Sequence, residues 1–294
     1  MPELPDIAVY LDCLAPRVLD QALIHLSIQD PFVLRSVEPA PADLAGQRVT
    51  GLRRLGKRIV LAFERERFAV LHLMIAGRLR WRAAGAKPPG KAALAIFGFP
   101  TGLLLLTEAG TTRRASIHLV AGEAALGQFD RGGLEVFEAT LDEFAARLTS
   151  ESHTLKRALT DPRLFSGIGN AYSDEILHRA RLSPLALTRK LGPGETRRLF
   201  EATTATLRDW TARLRAEVGD GFPDKVTAFR EGMAVHGRYR EPCPDCGTPV
   251  QRIRYADYET NYCARCQTGG RLLADRAMSR LLREDRPRSI DDAE

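Results

Sequence analysis

The chain has 294 residues, a formal net charge of +6 and a sequence pI near 9.2. That length holds two domains with their own cores plus a small module, and the basic surplus points to a polyanionic partner, nucleic acid first. No apolar run reaches membrane-spanning length and no basic-then-apolar leader opens the chain, so a cytoplasmic protein without membrane segments is the expectation.

Met1-Pro2-Glu3-Leu4-Pro5 precedes a helix expected from Asp6 to about Asp20, with Asp6 as cap and Val9, Cys13 and Leu14 on one side. Cys13 reads there as a small core residue. Pro2 has a chemical reading. Initiator methionine is commonly removed before a small residue, and its removal would expose a secondary amine. Attack of such an amine on an aldehyde gives a cationic iminium, which withdraws electrons and promotes elimination at the neighbouring carbon. Glu3 would stand beside it and shuttle protons. The same residues also read as a stiff, extended lead-in to the helix.

From about Ile24 to Val136 the pattern is that of short strands. Ile59, Leu61 and Phe63 alternate with Val60, Ala62 and Glu64, an Arg65-Glu66-Arg67 turn follows, and Val70 to Leu73 continues. A second hairpin joins Leu94–Phe97 to Leu103–Leu106 through Pro100-Thr101-Gly102. The sum suggests a sandwich or barrel. Lys57, at a loop-to-strand junction, can hold a phosphate or a base carbonyl, or simply belong to a solvated basic turn. Ala83 to Lys91 reads as a surface loop.

Helical patterning begins at Thr140-Leu-Asp-Glu143, a capping box. Leu199, Thr203, Leu207, Trp210, Leu214 and Val218 step by threes and fours along a long amphipathic helix. Between them, Phe165-Ser166-Gly167-Ile168-Gly169-Asn170 reads as a tight turn between short helices. Its glycines can bring backbone N–H groups to an anion, and Asn170 can cap the next helix and reach a phosphate. Lys156 and Arg157 add positive charge, although a plain helical hairpin fits the same glycines.

Cys243-Pro-Asp-Cys246 and Cys263-Ala-Arg-Cys266 enclose a 16-residue stretch, Gly247 to Tyr262, that suits a two-stranded hairpin. Four thiolates at this spacing match one tetrahedral zinc, with no open position for chemistry. Two disulfides or a redox pair are the alternatives, but neither a secretory context nor a βαβ pattern accompanies the cysteines. Beyond Gln267 a helix through Leu272, Leu273, Met278 and Leu281 leads into Arg283 to Glu294, expected to be too polar to pack.

With Pro2-Glu3-Leu4-Pro5, then Gly167-Ile168-Gly169-Asn170 ahead of Asp174-Glu175, then His236-Gly237-Arg238 before the paired cysteines and Gln267, the chain resembles the family of formamidopyrimidine-DNA glycosylase and endonuclease VIII over nearly its whole length. The resemblance implies an α+β fold: an N-terminal catalytic β-sandwich with a flanking helix (1–136), a helical domain with a helix–two-turns–helix motif (137–235), a zinc finger (236–270) and a charged tail (271–294). It implies a DNA repair enzyme, a DNA glycosylase with abasic-site lyase activity, that flips its lesion out of the stack. Pro2 would attack C1′, Glu3 act as general acid and base, and Lys57 serve elimination and phosphate contact. Asn170, Lys156, Gly169, Arg113, Arg114 and Arg254 would bind DNA, and Cys243, Cys246, Cys263 and Cys266 would hold one structural zinc. The implied partner is damaged DNA, double- or single-stranded, bound by a monomer in a bacterial, nucleoid-associated setting.

The chain departs from that family at several positions. Asp6 stands where glutamate is usual, and Tyr258 replaces the finger-tip arginine, leaving Arg252 and Arg254 as substitutes. Ile75, next to Met74, takes the place of the methionine that fills the gap left by a flipped base, and Arg113-Arg114-Ala115 lacks the aromatic wedge. These changes suggest substrates that are already loosened: abasic sites, single strands, bulky or cross-linked lesions, or oxidised pyrimidines. A non-catalytic binder of damaged DNA with the same fold is the competing reading. A zinc-ribbon factor acting on RNA or in transcription is a third, and it leaves Pro2-Glu3 without a purpose.

Overall fold

Helix α1 spans Leu4–Val18, with Glu3 extended at its N-cap (φ −116°) and Pro5 in its first turn. Asp6, the expected cap, instead occupies the third helical position, and its carboxylate accepts the Glu3 N–H at 2.8 Å. This is the reciprocal arm of a capping box, which aspartate is long enough to complete. The single apolar side expected of α1 is two. Ile7, Tyr10, Leu14 and Val18 enter the main core, while Val9 and Cys13 pack on Leu214.

The computed structural model describes residues 1–86, 93–109, 112–223, 226–255, 258–273 and 288–291. They form two compact units, Met1–Arg131 with Trp210–Thr227, and Gly132–Asp209 with Ala228–Glu294.

In the first unit the strands are β1 (His25–Ile28), β2 (Val49–Leu55), β3 (Arg58–Phe63), β4 (Arg67–His72), β5 (Gly77–Ala83), β6 (Ala93–Phe99), β7 (Gly102–Glu108) and β8 (Ser116–Ala121). They make two antiparallel sheets, ordered β2-β3-β4-β8 and β1-β6-β7-β5. One face of each contributes to a shared core, where Ile59, Leu61 and Phe63 join Leu71, Phe97, Leu104, Leu106 and Ile117. That is a β-sandwich, and each such fully buried side chain is worth about 1.5–3 kcal/mol relative to exposure. The other face of β3 is also dry, because Val60 and Ala62 pack with Phe68, Val70, Val120 and Leu126 of the short helix α2 (Glu123–Gly127). The surface loop expected from Ala83 begins after β5 as a turn, and residues 87–92 lie outside the described residues.

In the second unit, α3 (Leu141–Thr149) starts at the expected capping box: the Glu143 N–H donates to Thr140 Oγ1 at 3.3 Å, and the Glu143 carboxylate accepts the Thr140 N–H at 2.8 Å. Next come α4 (Leu155–Thr160), α5 (Asn170–Arg179) and α6 (Pro193–Val218), then the hairpin β9 (Gln251–Arg254) and β10 (Glu259–Tyr262), and α7 (Ala264–Thr268). The long helix therefore begins earlier than its apolar ladder suggests. Its residues from Trp210 onward count with the first unit, not with the helical domain expected to run to 235, since Leu214 packs on α1.

Among the described residues of the tail, 288–291 depart from the expected lack of packing. The Leu272 N–H donates to Arg288 O and the Ile290 N–H to Gly270 O, both at 2.9 Å, and Ile290 packs in the cluster of Ile253, Tyr262 and Leu273. Most of the helix expected through Met278 and Leu281 lies outside the described residues.

Candidate functional site

The first unit gathers the residues singled out at the N-terminus. Pro2 is buried, and Glu3 and Asp6 are only 3% and 5% exposed at the start of α1. The chain amine, here on Met1 and one residue ahead of the Pro2 nitrogen, has its pKa lowered, first by burial. The charges acting on it are Glu3 and Asp6, which raise it, and Arg78 and Lys57, which lower it. Lys57 is half-buried in the turn between β2 and β3. Arg78 belongs to no motif of the sequence. It is the second residue of β5 and follows Gly77, whose N–H closes the preceding loop on Leu73 O at 2.8 Å. A Cβ at Gly77 would lie 2.2 Å from that carbonyl, so only glycine fits. The Arg78 guanidinium donates to Ile75 O and Gly77 O at 3.0 and 2.6 Å, which fixes its base. A polar residue just after a glycine loop is the only signal it left. His72, paired across the strands with Arg58, was also missed; burial, then Arg58, Lys57 and His118, push it down to about 4 and keep it neutral.

The wedge region is polar. The Arg113 guanidinium lies 2.7 Å from Asp30, whose carboxyl it holds below the usual carboxylate range. The backbone N–H groups of Arg114 and Ala115 both donate to Glu108 at 2.9 Å; the Arg114 side chain is exposed and Ala115 is buried. Ile75 stands 59% exposed on its loop.

In the second unit the glycine turn leads into α5. Gly167 sits at φ +81°, a left-handed conformation that favours glycine. Gly169, not Asn170, is the N-cap, and Asn170 is the first helical residue, with its amide donating to Glu259 O of β10 at 2.9 Å. Lys156 does not face solvent as a DNA contact would. It is 6% exposed, 2.5 Å from Asp174 Oδ1, and donates to the Asn170 carbonyl at 2.7 Å. Its charge is neutralised internally because a buried ammonium needs a partner. Asp174 Oδ2 takes His236 Nδ1 at 2.8 Å and the Asn261 N–H at 3.1 Å. The neighbouring Glu175 accepts the N–H groups of Ala234, Val235 and His236 at 2.7, 2.9 and 2.9 Å. Two adjacent carboxylates thus tie α5 to the segment that leads into the cysteines.

The four cysteine sulfurs lie within 4.8 Å of one another, with Cys246–Cys263 at 3.4 Å and Cys243–Cys266 at 3.9 Å. A tetrahedron with metal–sulfur bonds of about 2.3 Å has edges of about 3.8 Å, so the donor set fits zinc. His178 of α5, buried, places Nε2 3.3 Å from Cys243 Sγ. At the hairpin tip Tyr255 and Tyr258 are exposed and stacked, and Arg254 is exposed. Arg252 is spent, lying over the Tyr239 ring at 4.0 Å and 3.4 Å from Glu259.

Three family models match the chain in order: the formamidopyrimidine-DNA glycosylase N-terminal domain (residues 1–110), the H2TH domain of the same enzyme (135–214), and a zinc finger found in FPG and IleRS (240–269). The finger carries one structural zinc on Cys243, Cys246, Cys263 and Cys266. The formamidopyrimidine-DNA glycosylase of Thermus thermophilus is 33% identical over 282 residues, 92% of this chain and 100% of the relative. A crystal structure of the MutM (Fpg) protein from the same species superposes with a TM-score of 0.74 at 31% identity, covering 90% of this chain and 98% of that one. The complex between the Lactococcus lactis Fpg and an abasic site containing DNA shares the fold, with a TM-score of 0.78 at 23% identity over 90% of this chain and 99% of that one. No helix among the described residues is long and apolar enough to cross a membrane. The chain belongs to the formamidopyrimidine-DNA glycosylase family.

Proposed function

We propose that this chain excises damaged bases and then breaks the strand at the resulting abasic site by β-elimination, through an iminium on Pro2. Membership of the family makes it a DNA glycosylase of DNA repair; the lyase step and the proline intermediate are the proposal. The observation that carries it is the placement of Pro2, buried at the start of α1 beside the buried carboxylates of Glu3 and Asp6; the half-buried chain amine one residue ahead has its pKa lowered, first by burial, with Arg78 and Lys57 also acting on it. A lowered pKa keeps more of the amine neutral, and only the neutral amine is a nucleophile.

With Met1 removed, the Pro2 nitrogen attacks C1′ as the bond to the damaged base breaks, and Glu3 supplies a proton to the opened sugar. At an abasic site the same amine adds to the aldehyde carbon. Glu3 protonates the hydroxyl, which leaves as water, and the iminium forms. The C2′ proton is then lost to a base, and the 3′ phosphate leaves with the electron pair of its C3′–O bond. Water hydrolyses the iminium and returns the amine. Lys57 and Arg78 balance the phosphate charge. Asn170, Gly169 and Arg254 meet the DNA backbone, and Lys156 acts through Asn170 by holding its carbonyl. Arg114, with an exposed side chain, meets the DNA near the lesion, and Arg113 does so in exchange for Asp30.

Trapping with borohydride tests this reading, because reduction fixes the iminium as a covalent protein–DNA adduct. Wild type is expected to form it on an abasic oligonucleotide and Pro2→Gly to lose most of it. A wild type that binds the oligonucleotide but yields no adduct is a binder only. Ala115 in place of an aromatic wedge, and Ile75 alone on its loop, favour loosened substrates, since holding a paired base out of its stack costs a few kcal/mol. Faster excision from matched duplex than from single strands would contradict that preference.

A further inference from the structure

We propose that Gly133 and Arg147 brace the glycine turn ahead of α5 in the shape that meets DNA, and so raise DNA affinity without touching DNA. The proposal rests on the reading that this turn meets the DNA backbone. The turn needs outside support, because glycine loses more conformational freedom on ordering than any other residue, and Gly167 and Gly169 stand two apart in it. A turn still mobile when the phosphate arrives gives up part of the binding free energy to its own ordering. Two stretches earlier in the chain remove that freedom beforehand.

The first is Gly132 to Leu134. Leu134 runs parallel to Phe165 and bonds on both sides of it: its N–H donates to Leu164 O at 2.9 Å, and its carbonyl accepts the Ser166 N–H at 3.0 Å. Gly133 lies so close to the same stretch that a Cβ there would collide with Pro162 O and stand 3.0 Å from the Phe165 carbonyl carbon and the Ser166 nitrogen. Those are backbone atoms, so a side chain at 133 fits only if the approach to the turn shifts. The second is α3. The Arg147 guanidinium donates to Gly132 O at 2.8 Å and to Arg163 O at 3.0 Å, which pins the two stretches to each other. Phe144, on the same helix and fully buried, has its ring centroid 4.8 Å from that of Phe165. The last braced residue, Ser166, is buried and adjoins Gly167, whose φ is +81°. A cation on a basic protein is the ordinary candidate for a phosphate contact, but this guanidinium is occupied by two carbonyls.

The test is a fluorescence-anisotropy titration of zinc-loaded, full-length protein against a duplex carrying a tetrahydrofuran abasic analogue, which has no aldehyde, repeated over a range of salt. Gly133→Ala and Arg147→Met are each expected to weaken binding by about 5- to 50-fold. The slope of log affinity against log salt should stay within about 0.3 of wild type, because a lost phosphate contact lowers it by about 0.9 and a lost brace does not. On a true abasic duplex at saturating concentration, the borohydride adduct should form within about 2-fold of the wild-type rate, since only binding is affected. A slope smaller by about 0.9 in Arg147→Met makes that residue a phosphate contact and overturns the brace. Wild-type affinity in either variant, or an equal loss in the saturated rate, also overturns it. Should Gly133→Ala fail to fold, Arg147→Met decides alone. A wild type that binds DNA but forms no adduct ends the lyase reading and leaves the brace to be judged on affinity and slope; a wild type that binds no DNA ends both.

Discussion

Lys156 Nζ and Asp174 Oδ1 lie 2.5 Å apart in the interior of the second unit, and the other oxygen of Asp174 takes His236. One carboxylate thus links the helix before the glycine turn, the helix after it, and the strap that enters the finger. Removing the carboxylate leaves a buried ammonium without its counter-charge, which costs about 3–5 kcal/mol. Asp174→Ala should lower the denaturation midpoint accordingly. Pairing Lys156→Met with Asp174→Leu should recover much of the loss, because an apolar pair replaces the charges. A double variant no more stable than Asp174→Ala would show that the ion pair does not set the stability here.

His178 gives a second prediction. Its Nε2 lies 3.3 Å from Cys243 Sγ. An N–H directed at a metal-bound thiolate steadies the ligand, and losing such a partner commonly costs 10- to 100-fold in metal affinity, so roughly that factor is expected here. His178→Phe keeps the bulk and removes the donor. It should release zinc to a chromogenic chelator faster than wild type, while His178→Gln should lie between the two. Equal release rates in all three would remove the link.

Zinc removal should have a bounded effect. The finger's apolar clusters are small and local, Val235, Cys243, Val250 and Cys263 in one, and Ile253, Tyr262, Ala264 and Leu273 in the other. They are joined to α5 through Asp174 and Glu175. Chelation, or Cys246→Ser, should therefore raise hydrogen exchange in the finger and α5 and weaken DNA binding, and leave the sandwich strands protected. Exchange rising equally in β3 and β4 would contradict this.

The acid response of the first unit follows from His72. Its imidazole, ordinarily near 6.5, is held at about 4 by burial and by Arg58, Lys57 and His118. The unfolded chain binds a proton below about 6.5 that the folded chain refuses until about 4, so stability falls as pH drops through that window and is level above it. The effect is of the order of 3 kcal/mol over the whole window, and about 2 kcal/mol of it is lost by pH 5. The thermal midpoint of His72→Gln should fall less between pH 7 and pH 5 than that of wild type; parallel slopes would assign the acid response elsewhere.

What was legible in the sequence was what depends on neighbours along the chain. The Thr140–Glu143 box, the alternation of Ile59, Leu61 and Phe63, and the cysteine spacing are local patterns, and each forms where expected. The rest depends on partners far away in the chain. Lys156 reads as surface charge until Asp174, 18 residues on, is seen to neutralise it. Arg78 becomes part of the site only because a glycine loop returns the chain beside the N-terminus. Ile290 packs although its neighbours are polar, because a backbone bond to Gly270 lays it on the finger.

The most direct test of the account is to locate the reduced adduct by mass spectrometry after digestion of protein trapped on an abasic oligonucleotide. The account predicts a peptide that begins at Pro2 and carries the sugar fragment on its terminal nitrogen. An adduct on Lys57, or a wild-type peptide that still begins with Met1 and carries none, would contradict it.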